Sequence, residues 1–246
     1  MAQKIFYFIL VVVLAGSGSV EAQSKKKTII FSTAFNEWTS TYKKSNILYF
    51  EAFKRLGFSF ELVYYPGERA LQAADSGLTD GDGMRIVGIS KDNSYPDLIH
   101  VNESIVSIVT CLYSINPGIR IDRWKKLKKK GYTVVILRGS KFIEERVFEY
   151  LDEKNIFIID RVAQGLAMIV ESRVDLFIIP KDVEFIFQNP EFKNANIRNA
   201  GTLEETPLFP YFHKKHKELI LRLAAILRDM KNDGTYQRLI DPIKTK

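Results

Sequence analysis

The chain has 246 residues, 46% of them hydrophobic and 26% charged, with 14 Gly, 8 Pro and 1 Cys. That composition excludes collagen-like, disordered and disulfide-scaffold chains, and the length suits one large domain or two of ordinary size. The 36 Lys and Arg against 29 Asp and Glu give a net charge of +7, an excess that favours encounter with anions without demanding nucleic acid.

At the N-terminus, Lys4 precedes an apolar run over residues 5–14 and a small-residue stretch over 15–22. The run is too short to span about 30 Å of hydrocarbon, and Val20-Glu21-Ala22 fits a small-x-small cleavage pattern. Residues 1–22 therefore read as a secretory signal peptide, with the exported chain starting at Gln23; a buried first strand over 5–14 is the alternative. No cysteine follows the apolar run, so a lipid anchor is not expected. The single Cys111 has no partner for an intramolecular disulfide, and its β-rich setting over 108–113 predicts a small buried hydrophobe, not a nucleophile.

From Lys27 onward strand and helix patterns alternate. Residues 28–31 predict a strand. Ile47, Phe50, Phe53 and Leu56 recur at about helical spacing, with Gly57 as the stop, and 58–65 return as a strand closed by Pro66-Gly67. A second helix runs from Glu68 toward Gly77, and Asp80-Gly81-Asp82-Gly83 leads into a third strand. A β-rich run over 105–113 then reaches the turn Asn116-Pro117-Gly118, read as the crossing into a second lobe.

There the alternation repeats: a basic helix over 122–130, strand 132–137, helix 140–154, strand 156–159, helix 162–172 and strand 174–179. Residues 203–212, with Pro207 and Pro210, read as an extended return connection. A final amphipathic helix follows, with Leu219, Ile220, Leu223, Leu227 and Met230 on its apolar face and Gly234 at its end. The expected architecture is α/β with mostly parallel sheets. Residues 23–114 and 206–246 form lobe one, 115–205 form lobe two, and hinges lie near 111–116 and 203–212.

Catalytic signatures are missing. The exported chain has no G-x-S-x-G, no H-E-x-x-H and no zinc-spaced Cys/His group, and His213 with His216 reads as a solvated pair. Gly81-x-Gly83 lacks the third glycine of a dinucleotide fingerprint and enters a strand, while Asp80 and Asp82 lack the remaining donors of an EF-hand. The basic run over 125–130 reads as a solvated helix face. No metal, cofactor or enzymatic activity is expected. A secreted enzyme is the competing reading, and Glu37 or Glu103 is its only start for an acid–base pair.

Binding residues are expected in the loops that follow the strands, because ligands of open α/β sheets sit beyond the strands' carboxyl ends. Phe35 and Trp38 offer aromatic faces, or else cap a core. Arg85 offers a bidentate fork for a carboxylate, or else pairs with Asp82 or Glu68. Ser140, opening a helix after Gly139, offers free N–H groups to an anion, or else simply caps. Arg69 sits in a first helical turn, where the structural role is the leading reading and solute binding the alternative, and Asp182 follows Pro180 after the strand at 174–179.

In this order, Pro66-x-x-Arg69-Ala70-Leu71, Ser76-Gly77-x-x-Asp80-Gly81, Tyr95-Pro96-Asp97-Leu98 and the ending Asp229-Met230-Lys231-Asn232-Asp233-Gly234 resemble the extracytoplasmic solute-binding proteins of family three. These are the type II periplasmic binding proteins that serve ABC importers. The resemblance covers nearly all of residues 27–241. It implies a two-lobed fold with two hinge crossings and a small polar or charged organic solute held in the cleft.

It also implies a periplasmic, cofactor-free monomer that reaches the membrane only through a permease or a sensor and binds no nucleic acid. Gly139-Ser140 matches the family's carboxylate-binding helix start, whereas Arg85 falls earlier than the family's carboxylate-binding arginine. Where the family places an ammonium-binding aspartate, this chain has Pro180, with Asp182 two residues on. A pyrrolidine cannot neutralise an ammonium, so the resemblance implies a solute other than a standard α-amino acid. An enzyme or a sensory module on the same scaffold is the alternative.

Overall fold

A computed structural model describes residues 26–89, 94–128 and 131–243. The expected signal peptide lies outside these residues, as do Lys129 and Lys130. In the first lobe, strand β1 (Thr28–Thr33) pairs in parallel with β2 (Ser59–Tyr64) and β3 (Gly81–Arg85). Helix α1 (Ser40–Leu56) starts where the Thr39 hydroxyl accepts the Tyr42 N–H at 3.2 Å, and it stops at Gly57, whose φ of 88° suits a residue without Cβ.

The buried face of α1 is Ser45, Leu48, Tyr49, Ala52 and Phe53, while Phe50 is 59% exposed. The expected stripe through Ile47, Phe50, Phe53 and Leu56 is thereby corrected. A strict three-residue spacing slips about 60° around the helix at each step, whereas alternating steps of three and four hold one face. Helix α2 (Arg69–Asp75) covers the other side of the sheet through Leu71 and Ala74.

Strand β4 (Leu98–His100) follows, and two late helices, α5 (Lys217–Asn232) and α6 (Thr235–Ile240), close the first core. Phe31 sits at its centre, edge-on to Tyr49, Phe53, Phe60 and Phe212 with centroids 4.9–5.7 Å apart.

In the second lobe, β6 (Val134–Leu137) pairs in parallel with β7 (Ile156–Ile159) and β8 (Leu176–Pro180). Strands β6 and β8 are buried on both faces, as is usual for parallel strands, while Phe157 and Ile158 of the edge strand β7 are exposed. Val134, Ile136, Leu176 and Ile178 pack toward α3 (Lys141–Tyr150), and Val135, Phe177 and Ile179 toward α4 (Val162–Val170). The basic helix expected over 122–130 is corrected: among the described residues of that span, only Trp124–Lys126 form a single 3-10 turn. Its two anchors, Trp124 and Leu127, are three apart, which matches the 3-10 repeat, and no further apolar residue extends the pattern.

Two strands cross between the lobes. Strand β5 (Val106–Ser114) runs antiparallel to β9 (Arg198–His213), a 16-residue strand that contains the expected extended return over 203–212. Strand β9 also pairs antiparallel with β3 and β4, and β5 with β8, giving the order β2-β1-β3-β9-β5-β8-β6-β7. The whole sheet is therefore mixed, although each lobe's outer strands are parallel as expected.

Val106 and Leu208, partners in register, pack into the first core, whereas Leu112 and Leu203 pack into the second. The passage between cores thus occurs at 107–109 opposite 205–207. The hinge expected at 111–116 falls inside the second lobe, because Cys111, Leu112 and Tyr113 are buried there. Cys111 is a small core residue, its Sγ 3.6 Å from Thr202 Oγ1.

Candidate functional site

The loop after β1 is a tight turn: the Thr33 hydroxyl accepts the Phe35 N–H at 3.1 Å, and Asn36 O accepts both the N–H and the hydroxyl of Thr39. This turn turns Trp38 outward toward the second lobe. There its ring meets Phe185 with centroids 4.8 Å apart. Phe185 belongs to a 3-10 helix over Lys181–Gln188 that follows β8.

Asp182 opens that helix and reaches the first lobe. Its Oδ2 accepts the Thr41 N–H, in the first turn of α1, at 3.3 Å. Burial raises the Asp182 pKa above the ordinary carboxylate value, and the Thr41 hydrogen bonds and the Lys44 charge offset that only in part. A third bridge joins Glu68, before α2, to Lys141 at the start of α3, 3.1 Å apart. Beside the Thr41–Asp182 contact a cavity of about 70 Å³ is lined by Thr41, Lys44, Ser107, Val109, Lys181 and Asp182. Both lobes and the crossing strand β5 therefore meet at one place.

The structure sorts the expected site residues. Trp38 and Asp182 face each other's lobes across the cleft, while Phe35 packs half-buried against the first core. Arg85 is committed to Asp82, which has no exposed surface: Nε donates to Oδ2 at 3.0 Å and Nη2 lies 2.9 Å from the same oxygen without an aligned hydrogen bond. The ion pair with Asp82, one of its two readings, is present.

Ser140 stands at the N-terminus of α3 but makes no side-chain cap, and Glu144 from the first turn accepts the Gly139 N–H at 2.7 Å. The helix's own carboxylate thus takes an N–H that an external anion would seek. Arg69 is exposed, and its side chain has no hydrogen bond or ion pair among the described residues. Pro180 ends β8 opposite Thr110.

Sequence reasoning missed Thr41, Lys44 and Phe185. The apolar spacing of Val183, Phe185 and Ile186 after Pro180 was the available signal for a helix there instead of a loop.

Two other expectations change. His213 and His216 are not a solvated pair: His216 is 5% exposed with Nε2 2.6 Å from Asp80 Oδ1, and His213 Nδ1 accepts the Lys215 N–H. Asp80 also accepts the Ile30 N–H at 2.9 Å and the Lys215 ammonium at 3.0 Å. The cluster therefore ties β1 to the start of α5. Glu103, one carboxylate of the enzyme reading, is held by Lys231 of α5 at 2.6 Å with Arg228 3.5 Å away. Glu37 is exposed.

Among the described residues, no group of three or more His, Cys, Asp or Glu side chains is arranged to hold a metal ion. Among them, too, no helix is long and apolar enough to cross a membrane.

No protein-family model matches the chain. An uncharacterized protein of Shewanella oneidensis is 27% identical over 229 residues, which span 92% of this chain and 85% of that protein. Among solved structures, an ancestral arginine-binding protein bound to glutamine is similar with a TM-score of 0.65 at 20% identity, covering 90% of this chain and 99% of that one. A histidine kinase sensor domain with similarity to periplasmic binding proteins gives a TM-score of 0.66 at 12% identity, covering 87% and 95%. Likeness at these identities is likeness of fold, and this chain has the two-lobed α/β fold of the type II periplasmic binding proteins.

Proposed function

We propose that this chain is an exported solute-binding protein that closes two lobes over a small polar or charged organic solute and presents the closed form to a membrane partner. The observation that carries the reading is the set of three contacts between the lobes, Trp38 with Phe185, Thr41 with Asp182 and Glu68 with Lys141. Residues 26–106 with 208–243 act as one lobe and 110–204 as the other.

A solute that touches both lobes binds the closed form best, so it shifts the population toward closure. Trp38 offers it an aromatic face, Lys44 and Lys181 favour an anionic group, and Asp182 gives up its Thr41 bond to receive a donor. Glu144 and Asp82 leave Ser140 and Arg85 as supporting residues. The protein is periplasmic and the solute leaves unchanged, in keeping with the binding and sensor domains that share the fold.

A thermal-shift screen of residues 23–246 against amino acids, polyamines, organic acids, aromatic acids and short peptides tests the reading. Solute at a hundredfold excess over Kd adds about 2.7 kcal/mol. For a chain of this size that raises Tm by roughly 5–10 °C. A hit recovered chemically intact supports binding without turnover, a hit that is consumed supports the enzyme, and silence across the panel refutes the solute reading.

The likeness to a kinase sensor domain favours a second reading in which the partner is a receptor. Crosslinking of the closed form to native membranes separates the two by recovering either a permease or a kinase.

A further inference from the structure

A second cavity lies within the second lobe, between the 3-10 helix over Lys181–Gln188 and the end of the β5–β9 ribbon remote from the crossing. Its volume is about 260 Å³, and Tyr113, Glu184, Phe185, Phe187, Gln188, Ile197 and Asn199 line it. Tyr113 is six residues along β5 from Ser107, so this cavity stands roughly 20 Å from the floor of the cleft.

The chemistry of the lining is specific. The Tyr113 hydroxyl donates to Glu184 Oε1 at 2.6 Å, and its ring stands edge-on to Phe187 with centroids 4.8 Å apart. Burial, then the Glu184 carboxylate, keep this phenol protonated far above its ordinary range. Tyr113 is therefore a fixed donor that occupies one oxygen of Glu184 and leaves the other.

Among the described residues no Lys, Arg or His pairs with Glu184 or lines the cavity. Asp82 pairs with Arg85, Glu103 with Lys231 and Asp80 with Lys215, while Asp182 has the Lys44 charge near it. A half-buried carboxylate without a counter-charge is unfavourable, and the rings of Tyr113, Phe185 and Phe187 line the same cavity, where an aromatic face attracts a cation.

We infer that this cavity binds a small organic cation, a primary ammonium or guanidinium on a short apolar stem. The charged head pairs with the free oxygen of Glu184 and lies against Tyr113 and Phe187. The stem packs on Phe185 and Ile197, and Asn199 supplies a polar contact at the rim. At about 260 Å³ the space is just under the roughly 300–1,000 Å³ usual for ligand pockets, which restricts the stem to a few carbons. Phe185 is shared with Trp38, so an occupant here also steadies one wall of the cleft.

The test is methyl NMR of residues 23–246 titrated with n-butylammonium, n-butylguanidinium and the neutral n-butanol. The Ile197 methyl resonance moves saturably with both cations, and the neutral alcohol binds at least tenfold more weakly, as expected for a charge-assisted hydrogen bond. Glu184→Gln keeps an acceptor for the Tyr113 hydroxyl and weakens cation binding by the same factor.

An Ile197 signal that stays still at millimolar cation overturns the inference, as does equal binding of the alcohol or undiminished binding by Glu184→Gln. If that variant does not fold, the comparison of cation with alcohol on the unaltered chain decides. Because the readout sits at Ile197, the result stands whether or not a solute is found for the cleft.

Discussion

Replacing Trp38 by Ala removes the largest contact across the cleft. Trp38 is 45% exposed, so about half of the roughly 200 Å² a tryptophan can bury is covered. With half of that against the second lobe, ~50 Å² at ~25 cal/mol per Å² contributes about 1.2 kcal/mol. The edge-on pairing with Phe185 adds roughly 0.5–1.5 kcal/mol. The exposed Glu68–Lys141 pair and the long Thr41–Asp182 bond each contribute about 1 kcal/mol or less. Loss of Trp38 thus moves the solute-free open-to-closed ratio by about 2 kcal/mol, or ~30-fold.

Electron–electron resonance distances between spin labels on cysteines placed at Lys54 and Lys154, both exposed and one in each lobe, report the change. Cys111 has no exposed surface and stays unlabelled. Trp38→Ala gains a population at longer distance. A distribution identical to that of the parent refutes the assignment of closure energy to this contact.

Asp182→Asn probes the buried carboxylate. Because its pKa is raised, the native state takes up a proton more readily than the unfolded chain, so stability from this group is complete below the unfolded pKa and fades as pH rises through the folded one. The parent gains stability on acidification from neutral pH, and Asn, which still accepts the Thr41 N–H, flattens that slope in melting curves; an unchanged slope contradicts the assignment.

Asp80→Asn behaves in the opposite sense. Burial alone pushes the Asp80 pKa up, but the Ile30 N–H, His216 and Lys215 outweigh it and hold it below the ordinary value. Its stability is present above the unfolded pKa and lost as pH falls through the folded one, so at neutral pH the variant loses about 2–4 kcal/mol in urea unfolding; a loss under about 1 kcal/mol refutes the network. Arg85→Met strands the buried Asp82 charge and costs about 3–5 kcal/mol, partly restored by adding Asp82→Asn. A fully stable Arg85→Met would return the guanidinium to the list of solute ligands.

Local chemistry made much of the fold legible. Strand β7 was readable to the residue because a short apolar run between polar turns admits little else, and Gly57 marked the end of α1 because its left-handed backbone suits glycine. The alternation of strands and helices carried the two-lobed α/β architecture. Cys111 was legible as core from its apolar neighbours alone.

The candidate site was legible only in part, and the reason is partnership. Arg85 is a guanidinium after a strand in either reading, and only the approach of Asp82 at 3.0 Å decides that it is spent within its own lobe. Glu144 caps the N–H next to Ser140 through helix geometry that a one-dimensional pattern does not display. The pairs Trp38 with Phe185 and Thr41 with Asp182 join residues more than a hundred positions apart, beyond the reach of periodicity.

The histidines show the same divide. Their spacing placed them near a helix start, but the burial of His216 depends on Asp80, 136 positions earlier in the chain.

What the sequence by itself determined was the order of the elements, their approximate ends and the burial of the apolar runs, because these follow from side-chain period, caps and turns within a few residues of each other. What only the tertiary structure decided was that β9 is one strand shared by both lobes, that the passage between cores lies at 107–109, and which charged groups are already paired. Those depend on strand register and on contacts between distant segments, and the free energy of such contacts exists only once the chain has closed on itself.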